Sequence, residues 1–162
     1  MNQTDPKTAV ARLVEALKPL VALLKGLPLT DPAAVRRTLE QQAPLSGPLV
    51  AAIRPLAEAG MREGWLCPKE NMGIRFGRPV KDLDGFSVDA VVMATPGPRH
   101  RHPGGEIDLC FATKGSPRFD GQPEGWVVYG PGSVHVPTVA GGEMLILYFL
   151  PGGAIEFLKE NA

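Results

Sequence analysis

His100, His102 and Glu106 follow an H-x-H-x3-E spacing, and His135 arrives behind the glycine-rich turn of YGPGSVH. These are the chain's only three histidines. In extended backbone, residues separated by one position leave on the same face, because the side-chain period of a strand is two. His100 and His102 then point together, Glu106 enters beyond the Pro103-Gly104-Gly105 turn, and His135 comes from a neighbouring strand. Three imidazoles and one carboxylate form a mixed nitrogen and oxygen donor set that suits Zn, Fe, Mn, Cu or Ni, with a position open to water or substrate. One divalent transition metal ion is therefore the expected cofactor, and the donor set does not choose among those metals.

Other side chains near this spacing can do chemistry. Asp108 shares a strand face with Glu106 and lies about 7 Å along it, placed either to orient a ligand histidine or to act as a general acid or base. Tyr129 and Tyr148 can each hydrogen-bond to a bound molecule or stack on an aromatic one. A substrate carboxylate would call for a bidentate arginine. Arg75 stands on a candidate strand beside small Gly73 and Gly77. Arg99 and Arg101 flank His100; strict strand parity turns them from the ligand face, whereas the Pro96-Gly97-Pro98 run favours loop geometry that would free them.

The elements that must hold these residues change character near residue 63. Before it, the chain reads as helices. Asp5-Pro6 is a helix start, and Val10, Leu13, Val14, Leu17, Leu20, Val21 and Leu24 recur at helical spacing. Pro19 should kink that helix, and Gly26 and Pro28 end it. Thr30-Asp31-Pro32 opens a second helix to about Gln42, and a third runs from Ser46 or Gly47 to a cap at Gly60. From Gly64 on, the period falls to about two, with glycine and proline punctuation every eight to twelve residues, as in a sandwich or barrel. The expected strands are 73–78, 86–94, 106–113, 126–129, 134–139, 143–150 and 154–158. The reading is a helical segment, 1–62, packed on a β module, 63–162, in one compact domain.

Strand parity adds a constraint. Glu106, Asp108 and Cys110 share one face, while Ile107, Leu109 and Phe111 share the other, so a barrel with Glu106 inside turns an apolar face outward. Leu145 to Leu150 is apolar on both faces and must be covered on both. A homodimer is expected to supply one cover, with the N-terminal helices as the alternative.

At 162 residues and zero formal net charge, the chain suits one domain without a basic patch, which argues against nucleic acid as a partner. With 19 glycines and 17 prolines it is suited to a turn-rich fold. Cys67 and Cys110 show no metal or redox spacing. MNQTDPKTAV lacks the pattern of a signal peptide, and no apolar run is long enough to span a membrane, so a cytoplasmic location with reduced thiols is expected.

The histidine spacing resembles that of the cupin family, whose first motif, H-x-H-x3,4-E, and second, G-x2-H, supply four metal ligands inside a small antiparallel barrel, the double-stranded β-helix. Gly132-Ser133-Val134-His135 matches the second motif. The chain departs from the pattern at Ala94, Thr113 and Gly130, and no asparagine follows His135. Over nearly its whole length, through HPGGEIDLCFA, FDGQPEGWVVYGPGSVHVPTV and GGEMLILYFLPGGAIEF, the chain resembles the bacterial 4-hydroxylaminobenzoate lyases of nitrobenzoate degradation. That resemblance implies conversion of the small aromatic carboxylate 4-hydroxylaminobenzoate to protocatechuate with release of ammonia. The cluster would hold the metal, Asp108 or Tyr148 would move protons, and one of the arginines would fix the carboxylate. The competing readings are a cupin dioxygenase or isomerase acting on an aromatic or sugar acid, and a non-enzymatic metal-dependent sensor of small molecules.

Overall fold

The computed structural model describes residues 5–159, so residues 1–4 of the segment read for a leader lie outside it. Three helices come first: α1 (Pro6–Leu24), α2 (Pro32–Gln42) and α3 (Pro48–Glu63). Each has proline in its first turn, where a missing N–H costs nothing. Asp31 caps α2 by accepting the Ala34 N–H at 3.2 Å. On α1, Leu13, Leu17, Leu20, Val21 and Leu24 form the buried stripe, and the helix runs on through Pro19, which sits on its exposed side.

The third helix ends at Gly64, not at Gly60 as the sequence suggested. Gly64 adopts the left-handed conformation, with φ of 89°. Gly60 serves packing instead: a Cβ there would lie 2.6 Å from the Trp65 ring.

Nine strands follow: β1 (Lys69–Asn71), β2 (Ile74–Leu83), β3 (Phe86–Met93), β4 (His100–His102), β5 (Glu106–Phe119), β6 (Gly125–Tyr129), β7 (Ser133–His135), β8 (Val139–Pro151) and β9 (Glu156–Phe157). They form an antiparallel six-stranded sheet, ordered β1-β2-β3-β8-β5-β6, and a small sheet ordered β7-β4-β9. This is the cupin-like jelly roll expected, except that the described strands make two sheets and not a closed barrel.

Strand parity divides the large sheet into two apolar faces, as the sequence required. Ile107, Leu109, Phe111, Leu145, Leu147 and Phe149 join the buried stripes of the helices in one core. Cys110, Met144, Ile146, Tyr148 and Leu150 form a second core on the opposite face, with Met93 and Phe119. The outward face of β5 and β8 is covered by α1 to α3. Trp126 fixes that packing by donating its indole N–H to the Ala43 carbonyl at 2.7 Å, just beyond α2.

Phe149 is fully buried between helices and sheet. Phe149→Ala should lower unfolding free energy by about 3–5 kcal/mol, read as a lower urea midpoint.

Candidate metal centre

Three imidazoles on the small sheet meet one carboxylate from the large sheet. On β4, His100 and His102 share a face, and the β4–β7 register sets His100 directly opposite His135. Glu106 begins β5, reached through a turn that depends on Gly105. There φ is 92°, and a Cβ would stand 3.0 Å from the Tyr129 carbonyl oxygen. The Gly105 N–H closes back on the His102 carbonyl at 3.2 Å, so the chain crosses from one sheet to the other in three residues.

One ligand atom from each of His100, His102, Glu106 and His135 lies within 4.8 Å of every other. Glu106 Oε1 is 2.9 Å from His102 Nε2 and 3.7 Å from His100 Nε2, and Oε2 is 3.6 Å from His135 Nε2. Two atoms bound about 2.1 Å from a common ion stand about 3.0 Å apart at a right angle and about 3.4 Å apart in a tetrahedron. The separations of 2.9 to 3.7 Å are near these values, two of them somewhat wider than the ideal.

The outer ring nitrogens decide which way the inner ones face. His100 Nδ1 lies 3.2 Å from the Pro98 carbonyl, His102 Nδ1 2.9 Å from Ser133 Oγ, and His135 Nδ1 2.6 Å from Asp120 Oδ2. A carbonyl and a carboxylate only accept, so His100 and His135 carry their protons on Nδ1 and turn Nε2 lone pairs inward. Those two Nε2 atoms are 3.0 Å apart. Two lone pairs at that distance repel unless a cation lies between them, either a proton or a metal ion. A single proton leaves the rest unsatisfied: both Glu106 oxygens and His102 Nε2 are buried without a hydrogen bond. The residues therefore fit a divalent ion.

Asp120, which the sequence analysis did not single out, is the main support of the cluster. It accepts from His135, from the Tyr129 hydroxyl and, through Oδ1, from the Thr138 N–H at 2.8 Å. Burial would raise its pKa, but those three hydrogen bonds outweigh burial and hold it below the ordinary carboxylate range. Asp120 and Gly121, both at positive φ, are the two central residues of a tight hairpin turn between Phe119 and Gln122. Asp-Gly signals such a turn from sequence. Nothing local signals that His135 will arrive beside it.

The other candidates are placed as follows. Asp108 is fully buried with both oxygens unpartnered, and burial, then the Glu106 charge, pushes its carboxyl well above the usual range. Glu106 is driven the other way: burial opposes its charge, but the three imidazoles and Asp108 hold it well below. Tyr148 is buried on the same face, with its hydroxyl 4.0 Å from Met93 Sδ. Tyr129 packs on His135 at 4.3 Å between ring centres and is tied to Asp120, so it buttresses the cluster.

A cavity of about 830 Å³ opens beside His100, walled by Met93, Val91, Tyr148, Leu150 and Ile155. The structure brings none of the three candidate arginines into it. Arg75 pairs with Val92 and so lies on the helix face of the sheet. Arg99 donates to the Lys159 carbonyl at 3.4 Å, and Arg101 pairs with Glu156 at 3.3 Å, both toward the C-terminal end of the chain, as strand parity at His100 requires.

A family model described as PnbB, 4-hydroxylaminobenzoate lyase, matches residues 15–157. A 4-hydroxylaminobenzoate lyase of Nocardioides sp. (strain LMS-CY) is 34% identical over 116 residues, covering 63% of this chain and 68% of that protein. One from Pseudomonas putida is 28% identical over 149 residues, covering 79% and 85%. Among solved structures, the DMSP lyase DddQ of Ruegeria pomeroyi DSS-3 superposes with a TM-score of 0.50 at 20% identity, covering 98% of this chain and 100% of that one, a likeness of fold.

Two outcomes follow from the geometry. Asp120→Asn removes the charge that orients His135 and should weaken metal binding about 10- to 100-fold, measured by competition with a chromogenic chelator. In the metal-free protein, burial lowers the pKa of His135, but the bonds and charges of Asp120 and Glu106 outweigh burial and raise it from 6.5 to about 9. A raised value contributes stability that is complete below the unfolded pKa and is lost as pH climbs through 9. Chelator-treated protein should therefore melt lower at pH 9.5 than at pH 6, and metal uptake at neutral pH should release a proton.

Proposed function

Since the chain belongs to the 4-hydroxylaminobenzoate lyase family, we propose that it converts 4-hydroxylaminobenzoate and water to protocatechuate and ammonia at a metal held by His100, His102, Glu106 and His135. The observation that carries this reading is the buried cluster at the wall of an apolar cavity large enough for an aromatic ring. The overall change is redox-neutral: the N–O bond breaks, a ring carbon gains a hydroxyl, and the C–N bond is hydrolysed. No nicotinamide, flavin or oxygen is needed.

A divalent ion held by His100, His102, Glu106 and His135 would supply Lewis-acid chemistry at the cluster. The chain's residues supply the remainder. His100 lines the cavity while its Nε2 faces the cluster, and its Nδ1 contact with the Pro98 carbonyl fixes the ring, so the reacting end of a bound substrate would meet the cluster at this wall. Met93, Val91, Leu150 and Ile155 contact the ring and exclude bulk water. Asp108 stands two residues from Glu106 on the same face, with its carboxyl pushed toward the protonated form by burial and by the Glu106 charge, where it would give a proton to the departing oxygen and take one back from the incoming water. Tyr148, registered opposite Asp108 across β5 and β8, carries the other exchangeable proton on that face.

Cupin dioxygenases and isomerases remain the competing class, and stoichiometry separates them. Metal-loaded protein given 4-hydroxylaminobenzoate should release protocatechuate and ammonia one to one without taking up oxygen; oxygen uptake, or product without ammonia, overturns the reading. Asp108→Asn should lower kcat about 10²- to 10⁴-fold while metal content stays at one equivalent. Tyr148→Phe at equal metal content ranks the second proton carrier against it.

A further inference from the structure

The cavity beside His100 is not uniform along its length. Its walls are apolar near the cluster, but its outer end carries Lys69, Arg78 and Lys81 against one carboxylate, Asp89. Of these three cations, Arg78 is the one held by hydrogen bonds among the described residues. Its Nε donates to Asp89 Oδ1 at 2.7 Å, and its Nη2 donates to Asp89 Oδ2 at 3.0 Å and to the Gly153 carbonyl at 3.1 Å. A guanidinium has five N–H donors. Three are spent on holding the group still, and the two on Nη1 have no protein partner among the described residues.

Strand register places this group relative to the chemistry. Asp89 on β3 pairs with Tyr148 on β8, and Tyr148 pairs with Asp108 on β5. With Arg78 beside Asp89, one row of polar side chains crosses four neighbouring strands, β2-β3-β8-β5, from the cationic end to the strand that bears Glu106. From Asp89 to Asp108 is two strand spacings, about 10 Å, the scale of a single aromatic ring with a polar group at each end. Gly77 sets the parity that turns Arg78 into the cavity. A Cβ at Gly77 would meet the Leu66 carbonyl at 2.5 Å, so that position faces the opposite side of the sheet.

We propose that Arg78, braced by Asp89 and supported by the charges of Lys69 and Lys81, is the residue that binds the substrate's carboxylate and thereby aims the opposite end of the ring at the histidine cluster. The inference rests on the lyase reading for the identity of the substrate. Its physical content is narrower: a guanidinium braced by Asp89, with both N–H groups of Nη1 unspent, at the cationic end of an otherwise apolar cavity offers a carboxylate charge and hydrogen-bond donors. Asp89 is then a positioning residue, which holds the guanidinium without touching substrate.

The test uses metal-loaded wild type, Arg78→Gln, Arg78→Lys and, as a control on an arginine outside the cavity, Arg99→Gln. Turnover of 4-hydroxylaminobenzoate is compared with turnover of its uncharged amide, and benzoate binding is measured separately by calorimetry. Arg78→Gln should raise KM for the acid about 10- to 100-fold, leave KM for the amide unchanged, and lose benzoate binding in parallel. Arg78→Lys, which keeps a charge beside Asp89 but loses the braced guanidinium and its Nη1 donors, should fall between. Arg99→Gln should match wild type. Equal effects on acid and amide, or no effect on either, overturn the assignment even if the lyase activity stands. A wild type that binds benzoate through Arg78 without turning over the hydroxylamine overturns the lyase reading and leaves the receptor intact. A wild type that neither binds benzoate nor turns over overturns both.

Discussion

Glu106 is a fully buried carboxylate whose neighbours within reach are three imidazoles and another carboxylate. An isolated ion in that position costs several kcal/mol of desolvation, and removing its partners would leave the cost uncompensated. Much of the architecture answers this one demand. The small sheet presents three nitrogens to it, and the Gly105 turn lets the chain leave the small sheet after His102 and open the large one at Glu106, four residues on. Asp108, next on the same face, cannot also ionise, so the two carboxyls are driven in opposite directions by their surroundings.

The same demand explains the helices. Once the inner face of β5 carries Glu106 and Asp108, its apolar residues must lie on the other side, and β8 alongside it is apolar on both. The helices close that outer face within one chain. Their sequence is accordingly plain, with apolar stripes, proline starts and no ligand chemistry. The helix-to-sheet contact is fixed by a few polar anchors, among them the Trp126 bond to Ala43 and the Arg54 guanidinium stacked on Phe111 while donating to the Ala112 carbonyl.

The clustering of His100, His102, Glu106 and His135 was legible because its geometry is local: an alternation of two on β4, a three-residue turn and a glycine-flanked histidine. Helix starts were legible for the same reason, since proline and its preceding cap act within one turn. The helix end falls one turn beyond the expected Gly60, because the left-handed cap is Gly64, while Gly60 is kept small by the Trp65 ring. Arg75 looked roomy beside Gly73 and Gly77, yet the space at Gly77 is filled by the Leu66 carbonyl, and strand pairing turns Arg75 to the helix side. Arg78 and Asp120 were passed over because their roles arise from contacts 11 and 15 residues away in sequence, across hairpins whose register the pattern does not specify.

The supports of the cluster place a further constraint on how it forms. The three outer nitrogens are held by a carbonyl in the loop before β4, a hydroxyl on β7 and a carboxylate at the β5–β6 hairpin. Each comes from a different element, and the carboxylate arrives only when the long strand β5 has paired with β8 as far as Phe119. The ligands can therefore be listed from a short motif, but their tautomers and aim are properties of the assembled pair of sheets. A peptide spanning His100 to His135 would hold the same donors without the β8 pairing that brings Asp120 into line. Metal affinity in this fold should accordingly track the integrity of β8, a strand that contributes no ligand.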